Sequence, residues 1–157
     1  MNPTIRKGEK KDLPQTLALV KELAAYEKAP LEVSVTVEEM ERDGFGEDPA
    51  FQFFVAEADD RIVGIALYYT KYSTWKGKCL FLEDLIVTEA FRKSGIGKKL
   101  FDEVVKVAKE MNARRMEWQV LEWNAPAINF YKKLNANLDP EWINVKLVEE
   151  QIDKYFE

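Results

Sequence analysis

The residues with the most evident chemical potential lie between positions 80 and 100, in the sequence LFLEDLIVTEAFRKSGIGKKL. Its first eight residues are apolar and β-prone, except that two adjacent acids, Glu83 and Asp84, interrupt them. Because an unpaired charge is costly inside a core, each acid should face a cleft, a basic partner or backbone donors. Adjacent strand residues point to opposite faces, so we expect one carboxylate on each side of the sheet.

A basic, glycine-containing loop follows this strand and leads into a helix. Apolar residues recur every three or four positions from Ile96 to Met111, which predicts an amphipathic helix. Glycine permits a sharp turn and close approach of a ligand, and the first helical turn offers free N–H groups and the positive end of the helix dipole. The pattern favours a phosphate site, although an ordinary strand-to-helix turn with surface lysines would read the same way. The loop residues are Arg92, Lys93, Ser94, Gly95, Ile96, Gly97 and Lys98.

Two common phosphate motifs are excluded here. A P-loop needs G-x-x-x-x-G-K-[ST], which this stretch does not contain. A dinucleotide fingerprint needs G-x-G-x-x-G, and Leu100 occupies the position of its third glycine. The spacing that this loop does contain is R-x-x-G-x-G, from Arg92 to Gly97.

Composition narrows the classes of function. The chain has 157 residues, which predicts one domain over residues 1–157, and no apolar run approaches the roughly 18 residues of a membrane span. The net charge of −5 argues against nucleic acid and is compatible with a cationic small molecule. With no apolar secretion signal and a single cysteine, Cys79, we expect a cytoplasmic protein with a buried structural thiol.

Histidine is absent from the sequence. This excludes Ser-His and Cys-His catalysis and most zinc sites, so no metal is expected. Acid–base chemistry must come from Asp, Glu, Tyr, Lys or bound water.

The order of predicted elements indicates an α/β fold with a mixed, mostly antiparallel central sheet and helices on both faces. The predicted strands are 2–7, 51–58, 61–70, 80–87, 114–121 and 143–148, and the predicted helices are 10–27, 36–43, one from Ile96, 124–134 and 149–156.

Several other side chains have both a structural and a chemical interpretation. Tyr131 lies in a predicted helix, where core packing is the usual role, but its phenol could act as a proton donor. Asn124 is first a helix cap. Tyr26 and Glu27 lie at a helix end, and Trp75 could be an aromatic wall for a cation or plain surface packing.

The R-x-x-G-x-G loop, between a buried strand and a long amphipathic helix, resembles the pyrophosphate loop of the GCN5-related N-acetyltransferases (GNAT), which bind acetyl-CoA. The resemblance extends over nearly the whole chain. Within that superfamily, the stretches LVKELAAYEK, DGFGEDP, YSTWKG, FLEDLIV and EWNAPAINFYKK resemble the diamine (spermidine/spermine) and thialysine acetyltransferases.

The resemblance implies how acetyl-CoA would be held. The main chain of Leu85, Ile86 and Val87 would pair with the pantetheine arm, and an N–H there would polarise the thioester carbonyl. Arg92 and residues 93–98 would cradle the pyrophosphate. Asn124 and Tyr131 would lie near the cofactor sulfur, with Tyr131 as the acid that returns a proton to the CoA thiolate.

The resemblance also implies an amine pocket and a homodimer with C-terminal strands near its interface. The residues implied for the pocket are Tyr26, Glu27, Ser73, Trp75, Glu83 and Asp84. Polyamine-preferring members carry an acid in place of Ser73, so a lysine-like or short diamine substrate is favoured. An alkyl amine has a pKa of about 10.4 and must lose a proton before attack, and Glu83 or Asp84, through water, is the candidate base route.

Neither a metal nor a covalent acyl-enzyme is required by this chemistry, because one cleft that holds both substrates supplies proximity. Two alternatives remain at this point. The same fold could acetylate a protein or peptide through an open groove, or the chain could be a non-catalytic acyl-CoA-binding module.

Overall fold

A long β-hairpin forms the centre of the sheet in the computed structural model, which describes residues 2–157. The five strands are β1 (Thr4–Lys7), β2 (Gln52–Ala58), β3 (Arg61–Ser73), β4 (Gly77–Val87) and β5 (Met116–Glu117). They lie side by side in sequence order, and all pairs are antiparallel except β4 with β5, which is parallel. The mixed, mostly antiparallel sheet is therefore confirmed.

Local signals explain the helices of the first 119 residues, which form one compact unit. They are α1 (Leu13–Tyr26), α2 (Val37–Gly44) and α3 (Ile96–Glu110), with short 3₁₀ turns at Lys10–Asp12 and Glu89–Phe91. Thr36 caps α2 by accepting a hydrogen bond from the Glu39 N–H at 3.1 Å, as its capping-box sequence predicts. Pro14 occupies the first turn of α1, where its missing N–H is tolerated.

The two faces of the sheet bury different helices. Leu13 and Leu17 of α1 and Met40 of α2 form one core with side chains of the sheet such as Ile65. Gly64, the neighbour of Ile65, faces the opposite side and α3. A Cβ on residue 64 would lie 3.0 Å from Leu100 Cδ1 and 3.1 Å from the Ile86 carbonyl oxygen, so glycine allows α3 to approach the sheet closely.

Residues Val120–Glu157 form a second compact unit. It contains α4 (Ala125–Lys133) and α5 (Glu149–Asp153). The expectation of one domain over residues 1–157 stays a prediction.

Two predicted strands differ from the structure. The strand predicted at 114–121 is reduced to the two residues of β5, and the strand predicted at 143–148 is wrong, since these residues lie outside any helix or strand. Ile143 and Val145 are 85% and 90% exposed. β-Propensity records how well a side chain fits a half-buried pleated surface, and this segment has no neighbouring strand within the described chain.

Candidate active site

A β-bulge shapes β4 where its two acids lie. Leu67 of β3 pairs with Asp84, whereas the next residue of β3, Tyr68, pairs with Leu82. Glu83 is therefore an extra residue on β4, and such an insertion disrupts the strict alternation of side chains. Asp84 lies opposite Leu67, whose side chain belongs to the core beneath α1 and α2.

Glu83 reaches the same side of the sheet as Asp84. The Tyr69 hydroxyl donates a hydrogen bond to Glu83 Oε1 at 3.3 Å, and Tyr69 shares a face with Leu67 because it lies two residues further along β3. The expectation that the two carboxylates face opposite sides is therefore wrong, and the extra residue is the physical reason. Glu27, which directly follows α1, acts electrostatically on Asp84 as well.

We call Glu27, Glu83 and Asp84 the acid cluster. Burial, followed by the charges of Glu83 and Glu27, raises the pKa of Asp84 to about 6. Burial also raises the pKa of Glu27. Within residues 2–157, none of the three carboxylates forms an ion pair with a lysine or arginine. A group of carboxylates without its own cation is electrostatically suited to a cationic ligand.

Replacing Asp84 by asparagine should stabilise the protein at neutral pH. The pKa of Asp84 is about 6 in the folded chain, above the roughly 3.9 of an unfolded aspartate. The folded state therefore binds this proton more tightly, and the contribution of Asp84 to the free energy of unfolding declines as pH rises from about 4 through about 6. Near pH 8, Asp84→Asn should raise the free energy of unfolding by up to about 3 kcal/mol.

Calorimetry at two pH values checks this expectation. The gain in Tm for Asp84→Asn should be present near pH 8 and nearly absent near pH 3.5, where Asp84 is protonated in both states. An equal gain at both pH values would mean that the effect comes from packing and not from the charge.

The loop between β4 and α3 has an unusual backbone. Lys93 and Gly95 both have positive φ, at +64° and +85°. The Ser94 hydroxyl donates to the Phe91 carbonyl oxygen, which closes the loop on itself. Gly95 is the N-cap of α3 and provides no side-chain cap, so the first N–H groups of α3 have no partner from that side chain.

Gly97, the second residue of α3, is not required by the fold. It has no positive φ, and a Cβ there would meet only Val87 Cγ2, at an ordinary 3.7 Å. Glycine destabilises a helix by about 1 kcal/mol relative to alanine. The missing side chain leaves the helix start open to close approach from outside, beside the exposed Lys93 and Lys99. Lys98 is paired with Asp102 at 2.5 Å.

The outer edge of β4 is open over much of its length. β5 pairs with β4 only at Leu80 and Phe81, and no other strand of the described residues follows β4 on that side. The main chain of Leu85 and Ile86 therefore lies in a stretch that an extended ligand could join as a further strand. The carbonyl of Val87 accepts a hydrogen bond from Arg92 Nε at 3.0 Å.

The side chain of Arg92 turns back toward α1. Besides its bond to Val87, its guanidinium lies 5.5 Å from the centre of the Tyr26 ring and 3.5 Å from a carboxylate oxygen of Glu22. Sequence reasoning missed Glu22. The available signal was the four-residue spacing of Glu22 and Tyr26, which places both on one face of α1.

The structure places Ser73 and Trp75 at the tip of the β3–β4 hairpin. The Ser73 hydroxyl oxygen accepts hydrogen bonds from the N–H groups of Trp75 and Lys76, at 3.1 and 3.2 Å, and from Arg115 at 2.9 Å. Trp75 is 77% exposed. Ser73 lies six positions after Leu67 on β3, roughly 20 Å at the usual rise per residue, so the chain does not bring the tip and the acid cluster together.

Asn124 and Tyr131 lie in the second unit. The Asn124 side chain caps α4 by accepting from the Ala127 N–H at 3.4 Å, as predicted. Tyr131 is partly buried on α4, with its ring 5.4 Å from that of Phe130. Their expected places near a cofactor sulfur stay predictions.

Residues 2–157 contain neither a metal-binding cluster nor a membrane-spanning helix. No group of three or more His, Cys, Asp or Glu side chains among the described residues is placed to hold a metal ion. No helix within the described part of the chain is long and apolar enough to cross a membrane.

Comparisons with known proteins give a family match and curated relatives for this chain. Residues 18–136 match the sequence model of the acetyltransferase (GNAT) family. Thialysine N-epsilon-acetyltransferase of Bos taurus is 39% identical over 140 residues, which cover 84% of this chain and 82% of that protein. Spermidine/spermine N(1)-acetyltransferase-like protein 1 of Homo sapiens is 37% identical over 139 residues, or 84% of this chain and 20% of that protein.

A solved structure shares the fold at low sequence identity. Aminoglycoside N-acetyltransferase AAC(6')-Iy, determined in complex with CoA, superposes with a TM-score of 0.70 at 21% identity. The superposition covers 92% of this chain and 99% of that one.

Proposed function

The chain belongs to the acetyltransferase (GNAT) family and is an N-acetyltransferase, and from that premise we propose that it acetylates a primary amine of a small cationic substrate, with acetyl-CoA as the acetyl donor. A diamine, a polyamine or a thialysine-like amino acid is the proposed substrate class. The acid cluster carries this proposal, because three neighbouring carboxylates without an ion-pair partner in the described chain are suited to an ammonium group.

The loop and the open edge of β4 fit acetyl-CoA, the co-substrate that supplies the activated acetyl group as a thioester. We assign the pyrophosphate to the loop from Arg92 to Lys98, where the N-terminus of α3 and exposed lysines attract an anion. The main chain of Leu85, Ile86 and Val87 would pair with the pantetheine arm. An N–H of this stretch would stabilise the negative charge that develops on the thioester oxygen.

Proton transfer has two parts in this proposal. The ammonium group must lose a proton before its nitrogen can attack, and Glu83 or Asp84, through water, receives it. Tyr131, with Asn124 near it, supplies a proton to the departing thiolate. Tyr26 is proposed to line the amine pocket beside the acid cluster, whereas Ser73 and Trp75 are left out of the proposed pocket because they lie at the hairpin tip, away from the acid cluster.

We also propose that the protein is a cytoplasmic homodimer. Exposed apolar side chains between Trp142 and Val148 support an interface near the C-terminus, because such side chains are usually covered in soluble proteins. Sedimentation analysis tests this point: a monomer at micromolar concentration would contradict it.

A thiol-release assay across a panel of amines tests the proposed function. Acetyl-CoA is supplied with diamines, polyamines, thialysine, lysine and a lysine-containing peptide, and free CoA thiol is measured. We expect turnover with small cationic amines. Turnover with the peptide alone would support protein acetylation, and CoA binding without turnover on any amine would support a non-catalytic acyl-CoA-binding module.

Replacing Gly97 by alanine should separate stability from cofactor binding. The fold has room for the methyl group, and alanine favours a helix by about 1 kcal/mol over glycine, so Tm should rise by a few degrees. The same methyl group should obstruct the pyrophosphate and weaken CoA binding by about tenfold or more. Calorimetry and CoA titration measure the two effects, and a variant that binds CoA normally would remove Gly97 from the site.

A further inference from the structure

Glu22 of α1 contacts the β4–α3 loop through three groups. Its carboxylate accepts a hydrogen bond from the Thr88 hydroxyl at 3.0 Å and another from the Glu89 N–H at 3.1 Å. An oxygen of the same carboxylate lies 3.5 Å from Arg92 Nη2. Glu22 therefore meets the start and the end of the 3₁₀ turn Glu89–Phe91 at once.

This carboxylate replaces a missing cap. Thr88 is the N-cap of the 3₁₀ turn, but its own side chain does not cap it. Instead, Glu22 accepts the N–H of Glu89, the first residue of the turn, from a different element. An oxygen acceptor at this place satisfies a donor that the turn itself leaves unpaired.

Arg92 extends the connection to the end of β4. Its Nε donates to the Val87 carbonyl oxygen at 3.0 Å, and its guanidinium lies over the ring of Tyr26, one helical turn after Glu22. The last turn of α1 therefore holds the loop by a carboxylate and an aromatic face. The positive charge of Arg92 is already shared between a carboxylate and a carbonyl, so its side chain acts here as a link between elements.

We propose that Glu22 is a positioning residue for acetyl-CoA, acting through Thr88, Glu89 and Arg92 to fix the loop that precedes α3. This inference rests on the proposed function, which assigns the pyrophosphate to that loop. The direction of the change in CoA affinity when Glu22 is removed distinguishes this role from simple electrostatic repulsion. A carboxylate near a diphosphate site repels the anion, so its removal should strengthen CoA binding if Glu22 were only a nearby charge. A positioning role predicts the opposite.

Titration calorimetry with CoA tests whether the loss of Glu22 weakens or strengthens CoA binding. Glu22→Ala should weaken CoA binding by about tenfold, the loss expected when charge-assisted hydrogen bonds to one carboxylate disappear. Glu22→Gln should weaken it less, because an amide oxygen still accepts from Thr88 and Glu89. Glu47→Ala, an exposed acid in the loop between α2 and β2, removes the same charge and should leave binding within about twofold.

Steady-state kinetics separates positioning from general loss of structure. In Glu22→Ala the KM for acetyl-CoA should rise by about tenfold, while the KM for the amine at saturating acetyl-CoA stays within about twofold. Adding Arg92→Ala should weaken CoA binding little further, because residues that act through one contact network are not additive. Full additivity would mean that Arg92 acts independently of Glu22 and would contradict the link.

Three further outcomes overturn the inference, and they differ from failure of the proposed function. CoA binding that is unchanged or tighter in Glu22→Ala contradicts a positioning role. So does an equal rise in both KM values. If Glu22→Ala does not fold, Glu22→Gln and Thr88→Val carry the same test, and normal CoA binding by both overturns it. If the unaltered protein itself binds no CoA, the proposed function fails first.

Discussion

Replacing Glu27 and Glu83 together by glutamine should raise the KM for a diamine by about 100-fold or more. Each substitution keeps the size of the side chain and removes one negative charge from the acid cluster. A hydrogen bond to a charged group contributes about 1.5–3 kcal/mol, so two of them account for two orders of magnitude or more in affinity. The KM for acetyl-CoA should change by less than about twofold, because neither side chain belongs to the loop before α3.

Steady-state kinetics with both substrates varied measures this prediction. The matched control is Glu38→Gln with Glu47→Gln, which removes two charges from exposed acids that form no ion pair in the described chain. The loss in the acid-cluster variant should also be larger for a dicationic amine than for a monocationic one. A raised KM for acetyl-CoA with an unchanged amine KM would place the amine elsewhere.

The elements that were predictable from sequence are those decided by short-range signals. Thr36 and Glu39 form a capping pattern within four residues, and the structure shows the expected bond at 3.1 Å. The third helix begins at Ile96, as predicted, and its last residue, Glu110, directly precedes Met111, where the apolar periodicity ends. The β2–β3 turn at Asp59 and Asp60 has positive φ at both residues, which matches the preference of these positions for Asp and Asn.

Pairing between distant segments was harder to predict. The expectation for Glu83 and Asp84 used strict alternation, but the register shift against Leu67 and Tyr68 adds a residue to β4 and places both acids on one side. A bulge depends on the partner strand, and nothing within the sequence FLEDLIV marks it. The strand predicted at 143–148 was wrong for a related reason. Its sequence pattern is typical of a strand, but a strand also needs a neighbouring strand to pair with, and the described chain provides none there.

The same distinction between short-range signals and contacts of distant segments applies to the candidate site. The glycines and basic residues of the loop were recognisable from their spacing, and Gly95 has the positive φ that such a turn needs. Glu22, the side-chain partner of Arg92, was missed because it is 70 positions earlier, and the four-residue spacing of Glu22 and Tyr26 shows only that they share a face of α1, not which element that face meets. The motifs therefore identified the loop that is proposed to bind the cofactor. The side chains that hold this loop in place were identified only from the fold.

Replacing Tyr131 by phenylalanine should lower kcat by roughly 100-fold or more, with the KM for acetyl-CoA nearly unchanged. The proposal makes its phenol the acid for the departing CoA thiolate, and a positioned acid contributes about 10²–10⁴-fold to a rate. Phenylalanine retains the ring, so its contact with Phe130 on α4 should persist and the fold should be preserved. Stopped-flow or steady-state thiol release at saturating amine measures the change.

The control for this variant is Tyr155→Phe, which removes a hydroxyl from a tyrosine in the same unit that is 66% exposed. Its kcat should stay within about twofold of the unaltered protein, because surface substitutions away from a site have small effects. If Tyr131→Phe also keeps its kcat, another group or water protonates the thiolate. If it loses CoA binding along with turnover, the hydroxyl holds the cofactor and does not serve as the acid, because an acid that acts only in the transition state leaves ground-state binding intact.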